Sequence, residues 1–205
     1  MRIIGLLGGV ASGKSSVAQH FARLGAGILD ADRAGHDVLR LPQIEWAIRQ
    51  RWGEAVLGPD GQINRGKVAA IVFSDPPKGP QERRFLEDLT HCQIGRMLQQ
   101  EAAGMVARGY TLAVLDAPLL LEAGWDRFCD MLVFVDAPCN ERLRRALARG
   151  WTEREFAARE AAQKSLQQKR QRAHAIIDNS GSLQQTQAQV ERVWESLLVK
   201  ERPLG

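Results

Sequence analysis

Cysteine is scarce in this chain. The three present, Cys92, Cys129 and Cys139, are odd in number and have no C-x-x-C spacing, which argues against a disulfide framework and a zinc site. They read as reduced packing residues. Aromatic residues make up 6% of the sequence, with a single tyrosine, and neither an aromatic-basic RNA-binding motif nor a long basic block is present. The net charge of +4 is too modest to imply nucleic acid as a partner, and an anionic small molecule explains it equally well. No uninterrupted apolar stretch is long enough to span a bilayer, and the N-terminus lacks the regions of a signal peptide. No membrane partner is expected, therefore, and the cytoplasm is the expected location. Internal repeats and long low-complexity segments are also missing. What remains, 205 residues with 44% hydrophobic and 25% charged content, is the composition of an ordinary globular protein. That length suits one sizeable core with a small appended subdomain, not two full domains. Oligomeric state is not set by these features, and a monomer is compatible with them.

Against these absences stands one dense motif. Residues 5–16 read GLLGGVASGKSS, in which Gly8, four residues, Gly13, Lys14 and Ser15 reproduce the phosphate-loop pattern G-x-x-x-x-G-K-[ST]. Gly8, Gly9, Ala11, Ser12, Gly13, Lys14, Ser15 and Ser16 are the expected ATP contacts. Glycines let several backbone N–H groups point at one anion. Lys14 adds a charge for the β- and γ-phosphates, and the Ser15 hydroxyl is the expected protein ligand to Mg²⁺, which keeps most of its waters. The flanks fit the motif: the apolar run Ile3, Ile4, Leu6, Leu7 predicts a central parallel strand. Val17, Ala18, Phe21 and Leu24 then recur at helical spacing, with Gly25 as a stop.

Further strands are predicted at Ile28-Leu29, leading to Asp30-Ala31-Asp32, at 112–115 before Asp116, at 131–135 before Asp136, and at 175–177 before Asp178-Asn179. Residues 33–57 read as helical through Val38, Leu39, Ile44, Trp46, Ala47 and Ile48. Turns are marked at 58–61 and at 74–80, where three prolines forbid a continuous helix. A helix follows over about 81–108, and a closing helix carries the stripe Val190, Val193, Trp194, Leu197, Leu198. Alternating strands and helices predict an α/β fold of the P-loop NTPase type: a parallel sheet flanked by helices, with ligands at the strands' carboxyl ends. Core elements fall at about 1–32, 109–139 and 173–200, and a helical region at about 33–108.

Residues 140–172 differ in being rich in arginine and lysine. They read as helix, turn at Gly150, helix. A solvated helical face is one reading of such a run. Directly after a strand of a phosphate-loop protein, however, the cluster reads as a lid whose arginines close over transferring phosphates. Arg145 is the first choice, with Arg142 and Arg149 next, because positions three or four apart share a helical face.

No N-K-x-D guanine-reading sequence and no S-G-G-Q transporter signature occurs, so a small-molecule kinase is the favoured class. Such an enzyme must exclude water so that its substrate's hydroxyl attacks the γ-phosphate. Here the chain resembles the dephospho-CoA kinase family. The resemblance runs through GLLGGVASGKSSVAQHFARLG, ILDADRAGHDVL, FLEDLTHCQI, LDAPLLLEAGWDRFCDMLVFVDAP and QKSLQQKRQRAHAIIDNSGS, in the family's order. It implies transfer of the ATP γ-phosphate to the ribose 3′-hydroxyl of dephospho-CoA, giving CoA and ADP in the last step of CoA biosynthesis. It departs from the family's usual pattern at Leu7 for threonine, Ala11 for glycine, Cys92 for the proline after His91, and His174 for aspartate.

A carboxylate is needed to orient the acceptor hydroxyl and take its proton. Asp32 is the first choice, just past a strand end and matching the family's second aspartate. Asp30 is the alternative, or reaches magnesium through water, and either could instead be a helix cap. Asp116 reads as a Walker B-like carboxylate, or, with Pro118, Leu119 and Glu122, as a residue facing the acceptor; the helical region 33–108 is the expected acceptor-binding part, with His91 as its candidate, although its periodicity also fits plain core packing. Another nucleotide or nucleoside kinase is the runner-up, and an ATP-dependent switch protein is the alternative from a different class.

Overall fold

The computed structural model describes residues 1–199. Residue 200, which closes the expected core range, and the side chain of Leu198 lie outside what is described. The chain divides into two compact units, one of Met1–Asp30 with the described residues from Glu101 on, the other of Ala31–Gln100.

The first unit holds a sheet of five parallel strands, β1 (Arg2–Gly8), β2 (Gly27–Asp30), β3 (Leu112–Asp116), β4 (Met131–Asp136) and β5 (Ala175–Asp178), in the order β2-β3-β1-β4-β5. Its strands are short apolar runs because helices cover both faces, so period-two alternation is not needed. Every strand after β1 ends in aspartate: Asp30, Asp116, Asp136 and Asp178. Register pairs Asp30 with Asp116 and Asp136 with Asp178, so these carboxylates line the edge where ligands of open α/β sheets bind.

Helix α1 (Lys14–Arg23) packs Val17, Ala18 and Phe21 against Ile4, Leu6, Val114 and Val133 of the sheet, with Val190 and Leu197 of the closing helix in the same core. No helix among the described residues is long and apolar enough to cross a membrane.

In the second unit the stretch expected as one helix over 33–57 is broken. Helix α2 (Ala31–Val38) ends before Leu41, α3 (Pro42–Trp52) begins with proline at its first position, and a 3₁₀ turn spans Gly53–Val56. Proline suits a helix start and disfavours helical backbone in the residue before it, which is why Leu41 is extended. Trp46, counted among the apolar positions, is 65% exposed. An element not read from the sequence, α4 (Arg65–Val72), is capped by the Asn64 side chain, which accepts from the Lys67 N–H at 3.1 Å. The proline segment separates α4 from α5 (Lys78–Ala107), but Pro80 falls in the first turn of α5, where no intrahelical N–H is required. Inside this unit Glu82 is buried and accepts from Arg51 at 2.9 and 3.0 Å and from Trp52 Nε1 at 2.8 Å. The Arg51 bond, then that of Trp52, holds its carboxyl below the ordinary range.

The segment after β4 also corrects the expectation. It forms three helices, α6 (Cys139–Leu147), α7 (Glu153–Ala161) and α8 (Leu166–Arg172). Thr152 with Glu155 and Ser165 with Gln168 form capping boxes that start α7 and α8 separately. The closing helix is α9 (Leu183–Val199). Of the cysteines, only Cys129 is packed, for Cys92 and Cys139 are exposed.

Candidate active site

The loop between β1 and α1 is built around Gly13, which caps α1 in the left-handed region at φ 97°. Glycine is needed there twice over, for that backbone and because a Cβ would collide with Asn179 Nδ2. At Gly8 a Cβ would stand 2.6 Å from Ser12 Oγ and 2.7 Å from the Val135 carbonyl oxygen. Ala11 also adopts the left-handed region, at φ 56°, a backbone that glycine enters without the steric cost a Cβ brings.

The loop thus delivers Lys14, Ser15 and Ser16 as the first turn of α1. N–H groups in a first turn lack intrahelical partners and attract anions. Lys14 is only 8% exposed, and its ammonium donates to the carbonyls of Gly8 at 3.3 Å and Gly9 at 3.0 Å. Ser15 and Ser16 are exposed.

The arginines expected to act alike do three different things. Arg145 reaches back across the fold: Nη1 donates to the Ser12 carbonyl at 3.1 Å and Nη2 to the Asn179 carbonyl at 2.6 Å. Arg142 is buried, donating to the carbonyls of Ala137 at 3.1 Å and Val10 at 3.3 Å while pairing with Glu160. It is not a solvated lid side chain. Arg149 lies past the end of α6 and is exposed, so it does not share the helical face of the other two. Val10, Ala146 and Phe156 form a small core with Ala11, Leu143 and Trp151 packed against it. Through this core α6 and α7 rest on the phosphate loop itself.

Asp30 and Asp116 are half-buried register partners at the ends of β2 and β3. Beyond Asp116, Pro118 and Leu119 are half-buried. The Glu122 carboxylate accepts from the Lys164 N–H at 2.7 Å and stands 3.3 Å from the Lys169 ammonium. Its other oxygen, Oε2, and Ser12 Oγ are buried without a hydrogen-bond partner. Unsatisfied buried polar atoms are uncommon and concentrate where function requires them.

Asp32 and His91 belong to the second unit. Asp32 lies exposed in the first turn of α2 and His91 is half-buried on α5. His174 is structural, since its Nδ1 accepts the Leu132 N–H at 3.0 Å, and its own N–H donates to the Leu132 carbonyl at 2.8 Å, extending the β4–β5 pairing.

Asn179 holds the loop although no motif in the sequence singles it out. Its Nδ2 donates to the Ser12 carbonyl at 2.8 Å and its Oδ1 accepts from Thr186 at 3.0 Å. Lys169, one of many basic residues in its segment, is likewise unmarked in the sequence yet only 2% exposed. Both lie in segments that resemble the family's closing motif, which was the signal available for them.

A phosphate loop at the end of the central strand of a parallel sheet, gripped by an arginine from the helices after β4, defines a nucleotide-binding protein of the P-loop class. A family model described as dephospho-CoA kinase matches residues 2–185, and the chain belongs to the dephospho-CoA kinase family. Among its relatives, a Symbiobacterium thermophilum protein named dephospho-CoA kinase is 42% identical over 201 residues, covering 96% of this chain and 81% of the relative. One of the same name from Aquifex aeolicus is 38% identical, covering 96% of this chain and 98% of the relative. The crystal structure of TT1252 from Thermus thermophilus is similar with a TM-score of 0.77 at 34% identity, covering 98% of each chain.

Proposed function

We propose that this chain is the ATP-dependent kinase of dephospho-CoA, moving the γ-phosphate of ATP to the ribose 3′-hydroxyl and releasing CoA and ADP in the cytoplasm. The observation that carries this reading is the family match over residues 2–185, which spans the phosphate loop, the strand-end aspartates and the helices after β4.

In this reading the backbone N–H groups of Gly9 to Ser16 surround the β- and γ-phosphates, and Lys14 swings its ammonium from the loop carbonyls onto their oxygens. The Ser15 hydroxyl and the carboxylates of Asp30 and Asp116 are hard oxygen donors of the kind Mg²⁺ takes, alongside phosphate and water. Bound there, Mg²⁺ supplies charge neutralisation of the phosphate oxygens. The acceptor's 3′-oxygen bonds to the γ-phosphorus as the bond from that phosphorus to the bridging oxygen breaks, and ADP leaves. The proton of the 3′-hydroxyl passes to the Asp32 carboxylate, with Asp30 as the alternative acceptor. Dephospho-CoA is the ligand assigned to residues 33–108, His91 among them, and likewise to Pro118, Leu119 and Glu122. Residues 140–172 act as the lid, in which Arg145 stabilises charge on the transferring group, Arg149 meets ATP from the exposed rim, and Arg142 acts on ATP through the loop carbonyl it holds.

The deciding assay is ADP formation from Mg-ATP with dephospho-CoA, adenosine, AMP, other nucleoside monophosphates or no acceptor, with products identified by mass. Turnover confined to dephospho-CoA, with one phosphate added at the 3′-hydroxyl, is expected. Turnover confined to another acceptor replaces the substrate, and hydrolysis independent of any acceptor overturns the kinase reading.

A further inference from the structure

Each of the three helices between 139 and 172 contributes one charged side chain to a single line of contacts. On α6, Arg142 holds the Val10 carbonyl of the phosphate loop at 3.3 Å and pairs with Glu160 of α7. The Glu160 carbonyl accepts the Gln163 N–H at 3.0 Å, just past the end of α7. Gln163 Oε1 accepts in turn from the Lys169 ammonium of α8 at 2.7 Å. That ammonium stands 3.3 Å from Glu122 Oε1 on the segment after β3. The line therefore runs from the phosphate loop to Glu122, with charges alternating from Arg142 to Glu160 to Lys169 to Glu122.

Burial of two such cations is a poor way to gain stability, because desolvation consumes most of the attraction; what a buried pair fixes well is geometry. Burial depresses the Lys169 pKa, and attraction to Glu122 and then to Glu160 opposes that shift. The Glu160 carboxylate therefore attracts Lys169 across the gap, while the bond to Gln163 is made by its main chain and fixes the turn between α7 and α8.

We infer that Glu160 and Lys169 are positioning residues that couple the phosphate loop to the Glu122 segment, so that each end of this line sets the geometry of the other. The inference rests on the dephospho-CoA kinase reading, in which the two ends serve ATP and the acceptor. It gives the helices after β4 a role beyond covering phosphates.

Steady-state kinetics of the full chain test it through two variants, each read at the substrate remote from the change. Glu160→Gln sits next to the loop-binding Arg142, yet is expected to raise the KM for dephospho-CoA about fivefold, the lower end of ordinary coupling between sites. Lys169→Met sits next to Glu122, yet is expected to raise the KM for ATP to a similar degree. The double variant should be less than additive, since both break one line. If each variant moves only the near substrate's KM, or neither, while thermal unfolding shows an intact fold, the coupling is wrong. Should Lys169→Met fail to fold, Glu160→Gln, whose side chain is partly exposed, decides alone. Absence of dephospho-CoA turnover in the unmodified chain would instead overturn the functional reading, and this inference with it.

Discussion

Arg145 and Asn179 hold the same oxygen. The carbonyl of Ser12 accepts from Arg145 at 3.1 Å and from Asn179 Nδ2 at 2.8 Å, while Arg145 also donates to the Asn179 carbonyl at 2.6 Å. This triangle ties α6 and the end of β5 to the phosphate loop next to the residue that caps α1. With Ser12 buried, losing one of its two donors costs about 0.5–1.5 kcal/mol, the net worth of a typical hydrogen bond. Asn179→Ala is expected to raise the KM for ATP about tenfold while leaving that for dephospho-CoA within about twofold, because 1.4 kcal/mol is a factor of ten. Arg145→Ala, which in the proposed mechanism also removes a charge beside the transferring group, is expected to lower kcat about 10²-fold or more. Initial-rate kinetics with each substrate varied separate the two, and an Arg145→Ala enzyme with normal kcat removes that residue from the chemistry.

Asp32 is exposed in the first turn of α2, where a carboxylate also suits the helix dipole. If the dipole were its whole role, Asp32→Asn would cost a few tenths of a kcal/mol of stability and leave the rate alone. As the proton acceptor for the 3′-hydroxyl, it is expected to lose about 10²–10⁴-fold in kcat with ATP affinity unchanged. The same substitution at Asp30 discriminates between the two aspartates, since the one bearing the larger kcat loss is the base.

The strands and the phosphate loop were legible in the sequence because their signals are local. An apolar run ending in aspartate needs no knowledge of its neighbours, and the spacing from Gly8 to Ser15 encodes a single backbone turn. The different fates of Arg142 and Arg145 were not legible. Both lie on one face of α6, and only the packing of that helix on Val10 and Phe156 decides that Arg142 is buried while Arg145 reaches Ser12. Lys169 was hidden likewise, since its partner Glu122 is distant in sequence. The break between α7 and α8 did have a local signal, Ser165 with Gln168 three residues on, but weak apolar periodicity in this charged segment masked it. Cys92 and Cys139 show that counting cysteines speaks to pairing and says nothing about burial.

Two loop positions with the same backbone hand make opposite predictions. Gly13→Ala puts a Cβ into Asn179 Nδ2 at φ 97°, so it should lower the melting temperature and abolish ATP binding together. Ala11→Gly relieves a left-handed alanine, which costs roughly 1–2 kcal/mol, against about 0.5–1 kcal/mol of added freedom in the unfolded chain. A net gain between zero and about 1.5 kcal/mol is expected in urea unfolding, whereas alanine to glycine at an ordinary helical site destabilises.

The thiols divide by environment. Burial, then the charges of Asp126 and Asp130, pushes the Cys129 thiol up to about 12, so almost no thiolate, the reactive form, exists near neutrality. Titration of the native chain with an aromatic disulfide reagent at pH 8 is expected to consume two thiols, Cys92 and Cys139, and a third only after unfolding. Prompt reaction of all three in the native state contradicts the packing described for Cys129.

His20 is expected to set an acid limit on stability. The residue is buried on α1, with Nε2 unpartnered and Nδ1 facing Arg23 at 3.2 Å and Gln187 at 3.5 Å. Burial, and secondarily the Arg23 charge, lowers its pKa from the ordinary 6.5. The native state therefore resists a proton that the unfolded chain accepts near pH 6.5. Stability is full above that value and falls as the pH drops below it, levelling off once the lowered native pKa is passed. The melting temperature should accordingly be lower at pH 5.5 than at pH 7.5, and the difference should shrink in His20→Gln, which keeps a polar group beside Arg23 but cannot take up the proton. An equal pH dependence in both proteins assigns the acid limit to other groups and leaves His20 a packing residue.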